Sequence, residues 1–230
     1  MSLTRRRFLA ASAGLPLVAP NFVGGAQNRT AREFKWSEKH PAEWNTKDID
    51  LILNHSAWVR EVPLEMDRTA AGLAKGAGPA GEVATQFKVL VRWESALPVR
   101  LARDRGARPE KSAAEYVLSI SRLPLQFTAV ALNGGVSSHS GETSRSKGEV
   151  SAQILNSTSL LRNGKGPVAA TRAEWVDADF STRIVISFAA AQQPIQLEDR
   201  EVMFLAHIGS LAVRARFVLS GMVYEGRLDL

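Results

Sequence analysis

The residues best suited to chemistry in this chain lie close together, at Trp93-Glu94-Ser95 and Arg100. Glu94 and Arg100 could form a charged, ligand-facing pair at the end of a strand, with Trp93 beside them, so these three residues are the candidate binding site. A structural interpretation competes with this one and is favoured by the residue types. In it Trp93 belongs to the core, Ser95 caps a helix, and Glu94 complements the positive end of the helix dipole.

Other catalytic and metal-binding patterns are missing from the sequence. No pair of histidines has the spacing of a zinc motif, and no G-x-S-x-G elbow marks a nucleophilic serine. The absence of cysteine excludes disulfides, thiolate metal sites, iron–sulfur clusters and a cysteine nucleophile. The sequence therefore predicts no catalytic residues, no metal site and no cofactor, and it points away from an enzyme.

The first residues of the chain have the character of an export signal. Arg5-Arg6-Arg7 precede an apolar run, Phe8 to Ala19, which is shorter than the about 20 residues of a transmembrane helix. Thr4 to Leu9 resembles the twin-arginine (Tat) signal, Ser/Thr-Arg-Arg-x-Phe-Leu, with Arg5, Arg6, Phe8 and Leu9 at the specified positions. An ordinary Sec signal with an added arginine is the alternative. The resemblance implies a bacterial protein that folds, passes the Tat translocase and resides in the periplasm or outside the cell.

Small residues at Gly24 and Ala26 predict signal cleavage before Gln27. The three arginines at positions 5–7 fall within the removed segment, which has no acidic residue, so the mature chain has a net charge of +3. Its basic residues are scattered, which argues against nucleic-acid binding. No later segment has about 18 uninterrupted apolar residues, so we expect a mature form that does not span a membrane.

Beyond the signal, the sequence predicts one β-rich domain. We expect a signal at residues 1–26, an extended arm at 27–44 that packs through Trp36 and Trp44, and a single domain at 45–230. Within this domain, the Gly/Ala/Pro-rich segment 69–81 is expected to be a flexible linker. The Ser/Gly-rich segment 133–148 is expected to be a mobile loop.

Alternation of apolar and polar residues predicts about eight strands. The clearest are 87–93, 115–123, 184–188, 202–208 and 211–219, and the last two are joined by Gly209-Ser210 as a two-residue hairpin turn. Further strands are expected at 150–161, 168–176 and 222–228, and short helices at about 45–54 and 96–104. No Gly-rich phosphate loop joins a strand to a helix. The fold class is therefore mainly β (α+β), an antiparallel β-sandwich or partly open barrel with two short helices.

Three stretches, WESALPVR at 93–100, EDREVMF at 198–204 and GMVYEGRLDL at 221–230, together resemble an uncharacterised family of exported proteins from soil bacteria. The resemblance covers roughly Trp44 to the C-terminus and implies no activity or site. We therefore expect an exported, non-catalytic binding or structural protein whose partner is a protein or a small molecule. The alternative is an exported enzyme or cofactor carrier with a site assembled from distant residues near Trp93, Glu94 and Arg100.

Overall fold

The computed structural model of the protein describes residues 35–66, 87–105, 115–123, 147–178, 181–191, 193–209 and 211–230. The helices in these ranges are α1 (Thr46–His55), α2 (Leu97–Arg103) and α3 (Lys147–Asn156). The strands are β1 (Val59–Met66), β2 (Lys88–Trp93), β3 (Glu115–Ser121), β4 (Ser159–Arg162), β5 (Lys165–Ala178), β6 (Ser181–Ala189), β7 (Glu201–Ile208), β8 (Leu211–Val218), β9 (Val223–Tyr224) and β10 (Arg227–Leu228).

Eight strands form a closed antiparallel barrel in the order β1-β2-β3-β6-β5-β4-β7-β8. The barrel closes where β8 pairs with β1, with Leu64 opposite Val213. Strands β9 and β10 pair with each other in a small two-stranded hairpin separate from the barrel sheet. The predicted mainly β, antiparallel fold is confirmed, and the barrel is fully closed rather than partly open.

The barrel interior is filled by side chains from alternate strand positions. Phe188, Phe204, Phe217 and Trp93 are fully buried there, and on β7 every second residue from Val202 to Ile208 is buried. An eight-stranded barrel is just wide enough for such side chains to fill it. The interior is therefore core, and a binding site has to be sought on the outside of the wall.

Helix α3 corrects the predicted strand at 150–161. Residues 147–156 are helical, and only Ser159–Arg162 form a strand. Val150 and Ile154 are four residues apart and both are buried, so they form one apolar helix face, which packs against β5 and β7. The structure therefore contains three α-helices in the described ranges, where the sequence predicted two.

Residues 35–44 pack onto the barrel through aromatic rings. They form two short 3-10 turns, Lys35–Glu38 and Pro41–Glu43, in the part of the predicted extended arm that the structure describes. The buried Trp36 ring lies 5.7 Å from Trp44 and 6.2 Å from Trp58 between centroids. Trp44 Nε1 also donates a hydrogen bond to the Trp36 carbonyl at 3.0 Å. The tryptophans thus attach this segment to Trp58, directly before β1.

Several predicted segments lie outside the described residues. These are the signal at 1–26, the linker at 69–81 and the loop at 133–148 up to residue 146. Residues 147 and 148 begin α3. Where the chain is described, none of its helices combines the length and apolar character that crossing a bilayer requires.

Candidate functional site

Helix α2 positions the candidate site on the outer wall of the barrel. Leu97, Val99, Leu101 and Ala102 are buried, and the helix packs against α1. Its first free backbone amide, Leu97 N–H, donates to Asp229 Oδ1 at 2.6 Å. The cap therefore comes from the C-terminal end of the chain, which also fixes where α2 begins.

The predicted cap at Ser95 is wrong. The N-cap residue of α2 is Ala96, which makes no side-chain capping bond. Ser95 Oγ instead accepts a hydrogen bond from the Val117 backbone amide of β3 at 3.0 Å. Ser95 thus joins the β2–α2 connection to the neighbouring strand.

Glu94 is the centre of a buried polar network and is only 5% exposed. Its Oε1 accepts from Arg92 Nη2 at 2.8 Å, Arg92 Nε at 3.0 Å and Ser119 Oγ at 2.6 Å. Its Oε2 accepts from Arg103 Nη1 at 3.2 Å. Arg92 also donates to the Leu53 carbonyl at the end of α1, at 3.0 Å. One carboxylate therefore ties together β2, β3, α2 and, through Arg92, α1.

These contacts fix the charge state of Glu94. Burial by itself would raise the pKa of the carboxyl. The positive charge of Arg92, the hydrogen bonds from Ser119 and Arg92, and the charge of Arg103 outweigh burial and hold the pKa of Glu94 below its usual value. Glu94 is therefore an anion at neutral pH, with three hydrogen bonds at Oε1 and one at Oε2.

A cavity of about 250 Å³ lies beside this network. It is lined by Glu94, Ser95, Arg100, Arg103, Val117, Arg183 and Val185. Leu118, Ile184 and Ile186 point into the barrel, so their neighbours Val117, Arg183 and Val185 project from the outer faces of β3 and β6. The cavity is therefore bounded by the end of α2 on one side and by the barrel wall on the other.

The cavity is cationic. Three arginines and one glutamate line it, which gives these residues a net charge of +2. The Nε of Arg183 is buried and has no hydrogen-bond partner. No hydrogen bond or ion pair joins the Arg183 guanidinium to another residue in the described ranges. A buried donor left without a partner costs about 1–3 kcal/mol, more when it is charged, so a ligand oxygen beside Arg183 would recover free energy.

The structure brings together two of the three predicted site residues. Glu94 and Arg100 both line the cavity, although the ion pairs of Glu94 are with Arg92 and Arg103. Trp93 does not line it, because its ring lies inside the barrel, 5.8 Å from the ring of Phe217. Trp93 is thus a core residue, as the structural interpretation expected.

Sequence reasoning missed Arg103 and Arg183. Arg103 had a usable signal, since it lies three residues after Arg100 on a predicted helix and such residues share a face. Arg183 had no such signal in the sequence, because an arginine at an outward position of a strand is usually solvated. Within the described ranges, no three His, Asp or Glu side chains are grouped closely enough to hold a metal ion.

Fold and site together define a closed antiparallel eight-stranded barrel with a cationic cavity on its outer wall. Comparison of the chain with protein-family models, with curated proteins and with solved structures finds no match.

Proposed function

We propose that the protein is an exported, non-catalytic binding protein whose small-molecule ligand occupies the cavity between α2 and the outer faces of β3 and β6. The observation that carries this proposal is the Nε of Arg183, buried and unpartnered at the wall of a cavity of about 250 Å³. The cavity walls are held in place independently of any ligand, by the Glu94 network and by the Asp229 cap on α2. A preformed concave site with a few convergent polar groups is typical of ligand binding.

The same geometry supports binding better than catalysis. A general base or acid works best when its pKa lies near the operating pH. The pKa of Glu94 is displaced downward, and hydrogen bonds occupy both of its oxygens. Ser95 Oγ accepts a hydrogen bond from the Val117 backbone amide rather than donating its proton to a base. Neither side chain is poised for proton transfer or nucleophilic attack.

Filling the cavity should abolish ligand binding. Val185 lies on the cavity wall, so Val185→Trp places an indole where the ligand would sit. Leu161→Trp is the matched control, because Leu161 is 40% exposed on β4 and does not line the cavity. Native mass spectrometry of protein purified from its own cells is expected to show a bound small molecule in the wild type and in Leu161→Trp, and none in Val185→Trp. Equal ligand occupancy in the two tryptophan variants, or a wild type that carries no ligand, would contradict the proposal.

Export should depend on the arginines of the signal. The support for export is the match of Thr4–Leu9 to the Tat pattern. Replacing Arg5, Arg6 and Arg7 together by lysine keeps the charge and removes the recognised side chains, so the precursor should accumulate in the cytoplasm. Arg29→Lys with Arg32→Lys, outside the motif, is the control and should leave export unchanged. Cell fractionation and immunoblotting measure both, and normal export of the triple variant would show that the signal is not of the Tat type.

A further inference from the structure

We propose that the ligand of this cavity is a small organic acid, with its carboxylate held by Arg183 and a short apolar body against Val117 and Val185. This inference rests on the proposed function of the cavity as a binding site, and it specifies the ligand class. The charge of the cavity, the geometry of Arg183 and the shape of the cavity each favour this ligand class.

Charge selects an anion over a cation. The cavity-lining residues have a net charge of +2, and the one carboxylate among them, Glu94, accepts four hydrogen bonds from protein donors. Three of these bonds end on Oε1 and one on Oε2, and the charge of Glu94 is already balanced by Arg92 and Arg103, so little attraction is left for a cationic ligand. Arg103 is engaged with Glu94, so the positive charge offered to a ligand anion is that of Arg183, whose Nε has no partner.

Geometry favours a carboxylate on Arg183. The Nε–H and the adjacent Nη–H of a guanidinium form one side of a planar fork, which matches the two oxygens of a carboxylate. In Arg183 the Nε is buried and lacks a partner, so one of the two donors on this side of the fork is desolvated and unused. A ligand carboxylate at this position would supply the missing acceptor and the compensating charge together.

Shape favours an organic acid over an inorganic oxyanion. Val117 and Val185 form an apolar part of the wall, and a fully hydrated ion such as phosphate has nothing to place against them. A volume of about 250 Å³ is below the roughly 300–1,000 Å³ of pockets that take drug-sized ligands. The cavity thus suits a carboxylate with a body of a few carbons.

The test compares pentanoate with pentanamide, which has the same shape and no charge, at constant ionic strength set with sodium chloride. Calorimetric titration should show pentanoate binding at least about tenfold more tightly than the amide. In ¹⁵N–¹H spectra of the wild type, the Arg183 Nε–H resonance should shift on adding pentanoate. Arg183→Lys keeps the charge and removes the fork, so it should weaken pentanoate binding about tenfold. Arg214→Lys, on the outer face of β8, should keep the wild-type affinity.

The outcomes separate the ligand class from the existence of the site. If pentanoate and pentanamide bind equally and Val185→Trp abolishes the binding of both, the proposal that the ligand carries a carboxylate is wrong. The proposal that the cavity is a binding site would then still hold. If phosphate or sulfate shifts the Arg183 Nε–H resonance with an affinity equal to that of pentanoate, the proposed preference for an organic acid over an inorganic oxyanion is wrong. No binding by any probe, together with no ligand in the native protein, would remove the proposed function itself. The comparison of acid with amide needs only the wild type, so it holds even if Arg183→Lys does not fold.

Discussion

At the scale of single residues, Glu94 has the largest structural role in the site region. Glu94→Gln removes a buried negative charge and leaves Arg92, only 14% exposed, without its counter-charge. Removing one partner from a buried, hydrogen-bonded pair is strongly destabilising, so we expect a loss of about 2–4 kcal/mol at pH 7. Glu65→Gln is the control, because Glu65 pairs with Arg214 on the surface and should contribute less than about 1 kcal/mol. Urea unfolding of the three proteins measures the difference.

The same pair of variants tests the charge state of Glu94. Its pKa is lowered by folding from a starting value of 4.5, so the ionised form contributes stability above about pH 4.5. That contribution is lost as the pH falls through the folded-state pKa, because the carboxyl is then protonated in both states. The stability gap between wild type and Glu94→Gln should therefore narrow as the pH is lowered from 5 to 3. A gap that stays constant over this range would show that Glu94 does not act through its charge.

Only some of the residues that line the cavity could be predicted from the sequence. Glu94 and Arg100 could be found because they flank one strand–helix junction and are close in sequence. Arg183 comes from β6, which reaches the junction only because β6 pairs with β3. Partners of this kind are set by strand order, which local residue patterns do not encode.

At the scale of elements, the clearest prediction concerns β8. Phe217 is fully buried and its ring packs at 5.8 Å against Trp93, whereas Arg216 points outward and pairs with Glu201. Phe217→Ala should cost about 3–5 kcal/mol through lost burial and the cavity left behind. Arg216→Ala should cost less than about 1 kcal/mol, because it removes one exposed ion pair. Denaturant unfolding measures both, and similar losses in the two variants would contradict the inward and outward assignment.

Elements with strict alternation could be predicted from sequence, and two others could not. Strand β1 was not predicted because Pro63 interrupts its pattern. In the structure Pro63 is exposed, a position that tolerates the missing N–H, while Val62 and Leu64 on either side are buried. The sequence predicts a strand where α3 lies, because few apolar residues mark a helix face there. The four-residue spacing of Val150 and Ile154 was the signal that favoured a helix.

At the scale of the whole molecule, the antiparallel β architecture followed from the strand patterns and the closure of the barrel did not. The strand pairs β4–β5, β5–β6 and β7–β8 join strands that are neighbours in sequence, so they could be predicted. The pairs that close the wall, β3–β6, β4–β7 and β1–β8, join strands that are distant in sequence. Because any two half-buried strands present compatible apolar faces, alternation alone does not choose among such partners.

The pairing of β1 with β8 also determines when the barrel can close during synthesis of the chain. Leu64 pairs with Val213, so the wall lacks its last strand until residues 211–218 have left the ribosome. Contacts this distant in sequence form late, since the intervening chain has to be ordered first. The proposed export signal, by contrast, emerges first of all. For a translocase that accepts only folded proteins, the recognition sequence would therefore be accessible long before the barrel has closed. The time at which export can start would then be set by β8, the closing strand near the C-terminus.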